Sequence, residues 1–318
     1  SGTVQTIAER IAPDAPGLAF DLLWDLLVLM PSVVERTDDS SGHVGSVMDE
    51  AMAAIGDLAP RLDRDPDTLA DQVFDALQDN GYGEFDGAIP ALAPALGDAG
   101  LAVLRRRAEA LRAEPLSPTV LERYDFAGDP ARQEALARDH RDGRVRSILQ
   151  DVADQTGDVD AWLAQYSAEQ LTYHTIAPGA AQRLLQSGRA DEALAVVDTA
   201  LGATEHKTLW LDPADLFEVR FACLEALGRT EDLKAALWTR FERRVCPDAL
   251  RWYLGLLPDF DDIEAKDRAD AIVAAHAPGG GLAVFLPSLA RSGSCRPGHP
   301  GPACRDRRQS VRDIDAPR

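Results

Sequence analysis

Residues 79–87 hold the densest group of chemically useful side chains in the sequence. Their order is Asp-Asn-Gly-Tyr-Gly-Glu-Phe-Asp-Gly, which places three carboxylates and one amide among three glycines and two aromatic rings. Carboxylate and amide oxygens are the ligands that calcium and magnesium prefer, and glycines permit the positive-φ turns that gather them around an ion. The residues that would hold such a metal are Asp79, Asn80, Glu84 and Asp86.

The spacing excludes the EF-hand type of calcium loop. Counted from Asp79, the third and fifth positions are Gly81 and Gly83, the sixth is Glu84 rather than glycine, and the twelfth is Pro90. Three interpretations therefore stay open for this segment. It caps the helices on its two sides, it contacts a partner, or it holds a metal in some other geometry.

Helix capping is the interpretation that we favour for the loop itself, and partner binding is favoured over metal binding among its possible functions. Tyrosine is common among the residues that dominate binding energies, and an aromatic ring bordered by carboxylates suits a basic or amphipathic peptide. The predicted contact residues are Tyr82, Glu84, Phe85 and Asp86. This interpretation requires that the two aromatic rings are not both buried.

An alternative function is a metal-dependent hydrolase or a ligand-binding protein that uses the acidic loops. A second acidic turn, with Asp38 and Asp39, would then add ligands to those of the first, although capping of the helix near His43 explains most of this turn. A third turn places Asp261 and Glu264 at the spacing of a capping box. No P-loop, Rossmann, His-Glu-x-x-His or Gly-x-Ser-x-Gly motif is present. Without a recognisable nucleophile, binding is favoured over catalysis, and no cofactor is predicted.

Helices must position these loops, because alternating strand patterns are nearly absent. Asp65 as N-cap and Pro66 in the first turn predict the start of one helix, and the Asn80-Gly81 pair predicts its end. The informative loop therefore follows a helix C terminus.

Residues 18–30 predict a second helix, which is apolar on nearly all sides. Only Asp21 and Asp25 interrupt the apolar sequence, and Pro31 is expected to end or kink the helix. Since a membrane span needs about 20 apolar residues, this segment is predicted to be a buried core helix.

Three regions are predicted along the chain. Residues 1–115 form an N-terminal helical region with acidic loops, and residues 116–277 form a C-terminal region of helical repeats, with the proline-containing segment 114–128 between them. Residues 278–318 are rich in glycine, proline and arginine and have no helical period. This tail is predicted to be disordered.

The second region contains two similar segments. Residues 184–194 parallel residues 224–233 as helix, Gly-Arg turn and helix, and their glycines, Gly188 and Gly228, are 40 positions apart. The pattern resembles tetratricopeptide (TPR) hairpins, although a usual repeat of that class has about 34 residues. The predicted fold is therefore all-α, with antiparallel helical hairpins stacked as an irregular TPR-like α-solenoid.

The 318 residues carry a net charge of −20, which disfavours nucleic-acid binding and favours basic partners. Four cysteines without paired spacing fit a reducing compartment, and no signal peptide is recognisable. The sequence predicts a cytoplasmic protein that binds a protein or peptide and does not bind nucleic acid or membrane. Self-association is also predicted, because a solenoid without its terminal repeats exposes apolar faces.

Three segments together resemble a bacterial, mainly proteobacterial, family of helical proteins of unknown function. They are residues 35–42 (Glu-Arg-Thr-Asp-Asp-Ser-Ser-Gly), residues 69–87, and residues 253–265, which include Pro-Asp-Phe-Asp-Asp-Ile-Glu. The resemblance covers residues 5–277 and implies a helical, repeat-built protein, with no catalytic residues to carry over. The chain departs from the family's pattern at both ends, and a truncation or a shifted reading frame would explain the departure.

Overall fold

The computed structural model describes residues 2–37, 39, 42–205, 213–258 and 260–276, and all regular secondary structure in this part of the chain is helical. The all-α fold class is thus confirmed. The described residues form two compact units, the first ending at Gln165 and the second beginning at Tyr166. The tail predicted to be disordered, residues 278–318, lies outside the described residues, as does Asp38.

The first unit consists of helices of very different lengths joined by short turns. They are α1 (Gly2–Thr6), α2 (Pro16–Val34), α3 (His43–Leu58), α4 (Pro66–Gln78), α5 (Ala88–Ala113), α6 (Pro118–Glu122), α7 (Pro130–Thr156) and α8 (Val159–Leu163). A π-helical turn, Ile7–Ile11, follows α1, and 3-10 turns occupy Ala59–Arg61 and Asp125–Ala127.

Local sequence signals set several helix ends. The Asp65 carboxylate accepts a hydrogen bond from the Thr68 backbone N–H at 2.9 Å, and Pro66 is the first residue of α4, as predicted. Asp129 caps α7 in the same way, with Pro130 next. Pro31 does not end α2, which continues to Val34.

One core joins the long helices of the first unit. Phe20 of α2, Ile55 of α3, Val73 of α4, Leu104 of α5 and Ile148 of α7 all belong to the same buried cluster. Because α7 completes this core, the structure divides the chain between Gln165 and Tyr166. The proline-containing segment 114–128, predicted from the sequence to separate two regions, lies inside the first unit.

The second unit begins with a 3-10 turn, Gln170–Thr172, and continues with six helices in its described residues. They are α9 (Ala177–Gln186), α10 (Ala190–Glu205), α11 (Ala214–Ala226), α12 (Thr230–Arg244), α13 (Pro247–Gly255) and α14 (Asp261–His276). Helix α9 packs against both α10 and α11, and α12 packs against α13.

The two similar segments of the sequence form the same turn. Gly188 and Gly228 have φ values of 80° and 66°, a conformation that favours glycine. The next backbone N–H reaches back to the preceding helix in both turns, from Arg189 to the Leu184 carbonyl at 2.8 Å and from Arg229 to the Leu224 carbonyl at 2.9 Å. Each arginine also pairs with an acidic residue three positions on, at 2.7 Å.

Candidate functional site

The loop between α4 and α5, residues 80–87, is closed by its own side chains. The Asn80 side-chain oxygen accepts a hydrogen bond from the Phe85 N–H at 2.9 Å, and its amide nitrogen donates to the Asp86 carboxylate at 2.7 Å. The Glu84 carboxylate accepts from the Tyr82 N–H at 2.9 Å. These bonds give the 80–87 loop a defined conformation.

Gly83 makes this conformation possible. Its φ is 79°, and a Cβ atom at this position would lie 2.9 Å from an oxygen of the Asp86 carboxylate. A side chain would therefore both strain the backbone and push against the carboxylate that Asn80 holds. The positive φ of Gly83 and its close approach to Asp86 thus explain why this position of the loop is a glycine.

The four predicted contact residues are divided between the interior and the surface. Phe85 is 4% exposed and packs against Trp24 of α2, with ring centroids 4.7 Å apart, and Glu84 is 2% exposed. Tyr82 is 48% exposed, and Asp86 is also exposed. Of these four residues, Tyr82 and Asp86 are thus exposed at the surface of the loop, whereas Phe85 and Glu84 are buried beneath it.

The four oxygen-bearing residues predicted as metal ligands do not surround one point. Asp79 is exposed and lies 3.9 Å from Arg123, whereas the Asn80 oxygen is already used by the Phe85 N–H. Within the described residues, no group of three or more histidine, cysteine, aspartate or glutamate side chains has the arrangement of a metal site. The described geometry therefore gives no support to a metal centre in this loop.

The second acidic turn stabilises the start of a helix. The Asp39 carboxylate accepts hydrogen bonds from the Val44 N–H at 2.8 Å and the Gly45 N–H at 3.3 Å, in the first turn of α3. These bonds, above all the one from Val44, lower the pKa of Asp39 below its usual range. Of the hydrolase ligands predicted from this turn, Asp39 acts as a helix-terminal acceptor, and Asp38 lies outside the described part of the chain.

The third acidic turn also leads into a helix. Helix α14 starts at Asp261, so this residue is the first helical residue rather than the N-cap that the capping-box spacing predicted. Phe260, directly before it, has a φ of 77° and an exposed ring.

A row of exposed apolar side chains on α2 was missed by the sequence analysis. Helix α2 is buried on one side only, through Phe20, Leu23, Leu27 and their neighbours. On its other side, Leu18, Leu22, Leu29 and Val33 are 54%, 37%, 58% and 37% exposed. The prediction that α2 is a buried core helix is thus correct for its inner side and wrong for these four residues, which we call the outer face of α2, and for Val28, which is 55% exposed.

The spacing of these residues places them along one side of α2. Positions 18, 22, 29 and 33 follow the helical period, so the four side chains line up along α2. Position 25 falls on the same line, and Asp25 is exposed between Leu22 and Leu29. The sequence did show that α2 has apolar residues on both sides. Helical periodicity, however, does not predict which side the neighbouring helices will cover.

One carboxylate beside the outer face is already neutralised. Asp21 pairs with Arg64 at 2.5 Å, and the Arg64 guanidinium lies 4.8 Å from the centre of the Phe20 ring. Asp25, by contrast, makes no ion pair or hydrogen bond with any described residue. The outer face therefore combines four apolar side chains with one negative charge that no described residue pairs.

Two helices, α2 and α5, are long and apolar enough to cross a membrane when judged by length and composition alone. Core helices of soluble proteins meet the same criterion, and part of each helix is packed inside the first unit. The prediction that the protein does not bind membranes stays a prediction.

Residues 1–290 match the model of a protein family described as a family of unknown function, DUF6880. No curated protein and no solved structure is detectably similar to the chain.

Proposed function

We propose that this chain, which belongs to the DUF6880 family of unknown function, is a helical scaffold that binds other proteins. The outer face of α2 is the observation that carries the proposal. Soluble proteins seldom leave large aliphatic side chains exposed side by side, and such patches commonly mark interaction sites. Covering the exposed parts of these four side chains removes apolar surface from water, which favours binding.

The rigidity of α2 supports the same role. Phe20, Leu23 and Leu27 are fully buried on the opposite side of the helix, which holds α2 in the core of the first unit. A partner would therefore meet a surface that is already ordered, and binding would not have to offset the entropy of folding that surface.

The repeated turns of the second unit are a further reason to propose a scaffold. Helical hairpins joined by equivalent turns stack into extended surfaces in repeat proteins, and these surfaces commonly bind proteins. The Gly188 and Gly228 turns share their backbone hydrogen bonds and their arginine–carboxylate pairs. We propose a TPR-like arrangement for α9 to α12 on this basis.

The proposal is tested by removing the apolar character of the outer face. Leu22→Asp combined with Leu29→Asp leaves the buried side of α2 intact, and we expect quantitative pull-down from native-host lysate to lose specific partners. Phe126→Asp combined with Ile263→Asp is the matched control, because both residues are exposed elsewhere. Thermal melting must show that both double variants are folded. Partner lists identical to those of the wild type for the α2 variant would contradict the proposal.

Tyr82 is proposed as a second contact. Of the four contact residues predicted for the loop, it alone combines an exposed aromatic ring with a backbone held by the loop's own hydrogen bonds. Tyr82→Ala is expected to weaken partner capture without changing the melting temperature. Asp86 is a poor choice for this test, since it also bonds to Asn80 and its loss would disturb the loop.

A further inference from the structure

We propose that the outer face of α2 binds a cationic amphipathic helix of a partner protein, with a lysine or arginine of that helix opposite Asp25. This inference rests on the proposed scaffold function and adds the chemistry of the partner. It is carried by the position of Asp25, which lies in the middle of the apolar line rather than at its edge.

A helix is the element that best covers such a surface. The exposed residues follow one line along α2, from Leu18 to Val33. A second helix laid along this line places its own side chains between those of α2, as ridges pack into grooves. Peptides that bind in this manner present apolar residues at the same helical period.

Asp25 decides the charge of the occupant. Any partner that covers Leu22 and Leu29 also removes the Asp25 carboxylate from water, and a buried charge without a counter-ion strongly opposes binding. No described residue forms an ion pair with Asp25, and Arg64 pairs with Asp21. A cation on the partner satisfies Asp25, and the net charge of −20 also attracts basic partners from a distance.

A second copy of the chain fits this surface less well. In an antiparallel two-fold pairing of α2 with itself, Leu18 would face Val33 and Leu22 would face Leu29 of the other copy. The same symmetry would bring the two Asp25 carboxylates together at the centre, where like charges repel. An acidic lipid surface is disfavoured for a similar reason, since it would oppose both Asp25 and the charge of the whole chain.

The test uses the full chain and synthetic helical peptides as probes. Each peptide carries leucines along one side, and the residue in the middle of that side is lysine, leucine or glutamate. We expect the lysine peptide to bind the wild-type chain about tenfold more tightly than the glutamate peptide, as measured by isothermal titration calorimetry.

Reversing the charge of residue 25 is the decisive measurement. Asp25→Lys should reverse the preference, so that the glutamate peptide binds more tightly than the lysine peptide. Asp57→Lys is the control, because Asp57 is also exposed but lies at the end of α3, and it should keep the wild-type preference. Asp25 is exposed, so the substitution does not disturb the core of the first unit.

Several results would overturn the inference. They are equal binding of the three peptides, absence of binding, or an unchanged preference in Asp25→Lys. Concentration-dependent dimerisation that Leu22→Asp abolishes would identify a second copy as the occupant instead, and flotation with phosphatidylserine vesicles that Leu22→Asp abolishes would identify a lipid surface. The α2 double variant could lose its native partner while the wild-type chain binds the three peptides equally. That result would support the scaffold function and contradict only this inference.

Discussion

Trp24 and Phe85 pack against each other as a tilted pair, with ring centroids 4.7 Å apart and planes inclined by 41°, and this contact attaches the 80–87 loop to the inner side of α2. One aromatic pair thus connects the loop that stands out in the sequence with the helix that carries the outer face. The two neighbouring aromatics of the loop have opposite roles, because Phe85 is buried and Tyr82 is largely exposed.

Phe85→Ala is therefore expected to destabilise the chain by about 3–5 kcal/mol, since it removes a buried ring and leaves a cavity beside Trp24. Tyr82→Ala is the natural comparison within the same loop, and its free energy of unfolding should stay within about 0.5 kcal/mol of the wild type. Urea denaturation of both variants measures the difference. Similar losses of unfolding free energy for the two substitutions would contradict the different burial of Phe85 and Tyr82.

Gly83→Ala should destabilise the chain by about 1–2 kcal/mol, because alanine is strained at φ 79° and its Cβ would press on the Asp86 carboxylate. Gly143→Ala supplies the control. Gly143 is an exposed residue inside α7 with open space around it, so alanine should stabilise that helix by about 0.5–1 kcal/mol. Melting temperatures of the two variants should therefore move in opposite directions, and a stabilised Gly83→Ala chain would contradict the loop geometry.

Cys223 should resist alkylation. Burial, with a smaller effect from the charge of Asp198, raises the pKa of the Cys223 thiol to about 11, so the reactive thiolate is scarce at pH 8. Cys246 is partly exposed. Peptide mapping by mass spectrometry after iodoacetamide treatment should find Cys246 modified at least about tenfold faster, and modification of both at the same rate in folded protein would refute the burial of Cys223.

Asp39 should contribute to stability in a pH-dependent manner. Its folded-state pKa is lowered by the Val44 N–H, so its contribution is fully present above the unfolded-state pKa of about 3.9 and is lost as the pH falls through the folded-state value. Asp39→Ala should therefore lower the melting temperature at pH 7, with a difference from the wild type that shrinks in strong acid. Asp57→Ala, which removes an exposed aspartate near the other end of α3, controls for the loss of one carboxylate. A pH-independent effect of Asp39→Ala would mean that the carboxylate charge is not involved.

Features that depend on a few neighbouring residues were predicted well. Asp65 and Pro66 start α4, and the Gly188 and Gly228 turns each join two helices as their sequences indicate. Capping and positive-φ turns depend on side chains within about four positions, so a single sequence contains all the necessary information. The all-α class follows from the same local preferences summed over the chain.

Features that depend on distant contacts were decided only by the tertiary structure. Phe85 is buried because Trp24, 61 positions earlier, lies against it, and Tyr82 is exposed because nothing described covers most of it. The segment predicted as a boundary lies inside the first unit because α7 returns to pack on α5.

The sequence by itself determined that the chain is helical, where its main turns lie, and that α2 is apolar on both sides. The tertiary structure alone decided that one side of α2 enters the core while Leu18, Leu22, Leu29 and Val33 remain outside with Asp25 among them. The physical reason is that hydrophobicity sets the free-energy gain on burial, whereas the number of neighbouring elements decides which apolar side chains are covered.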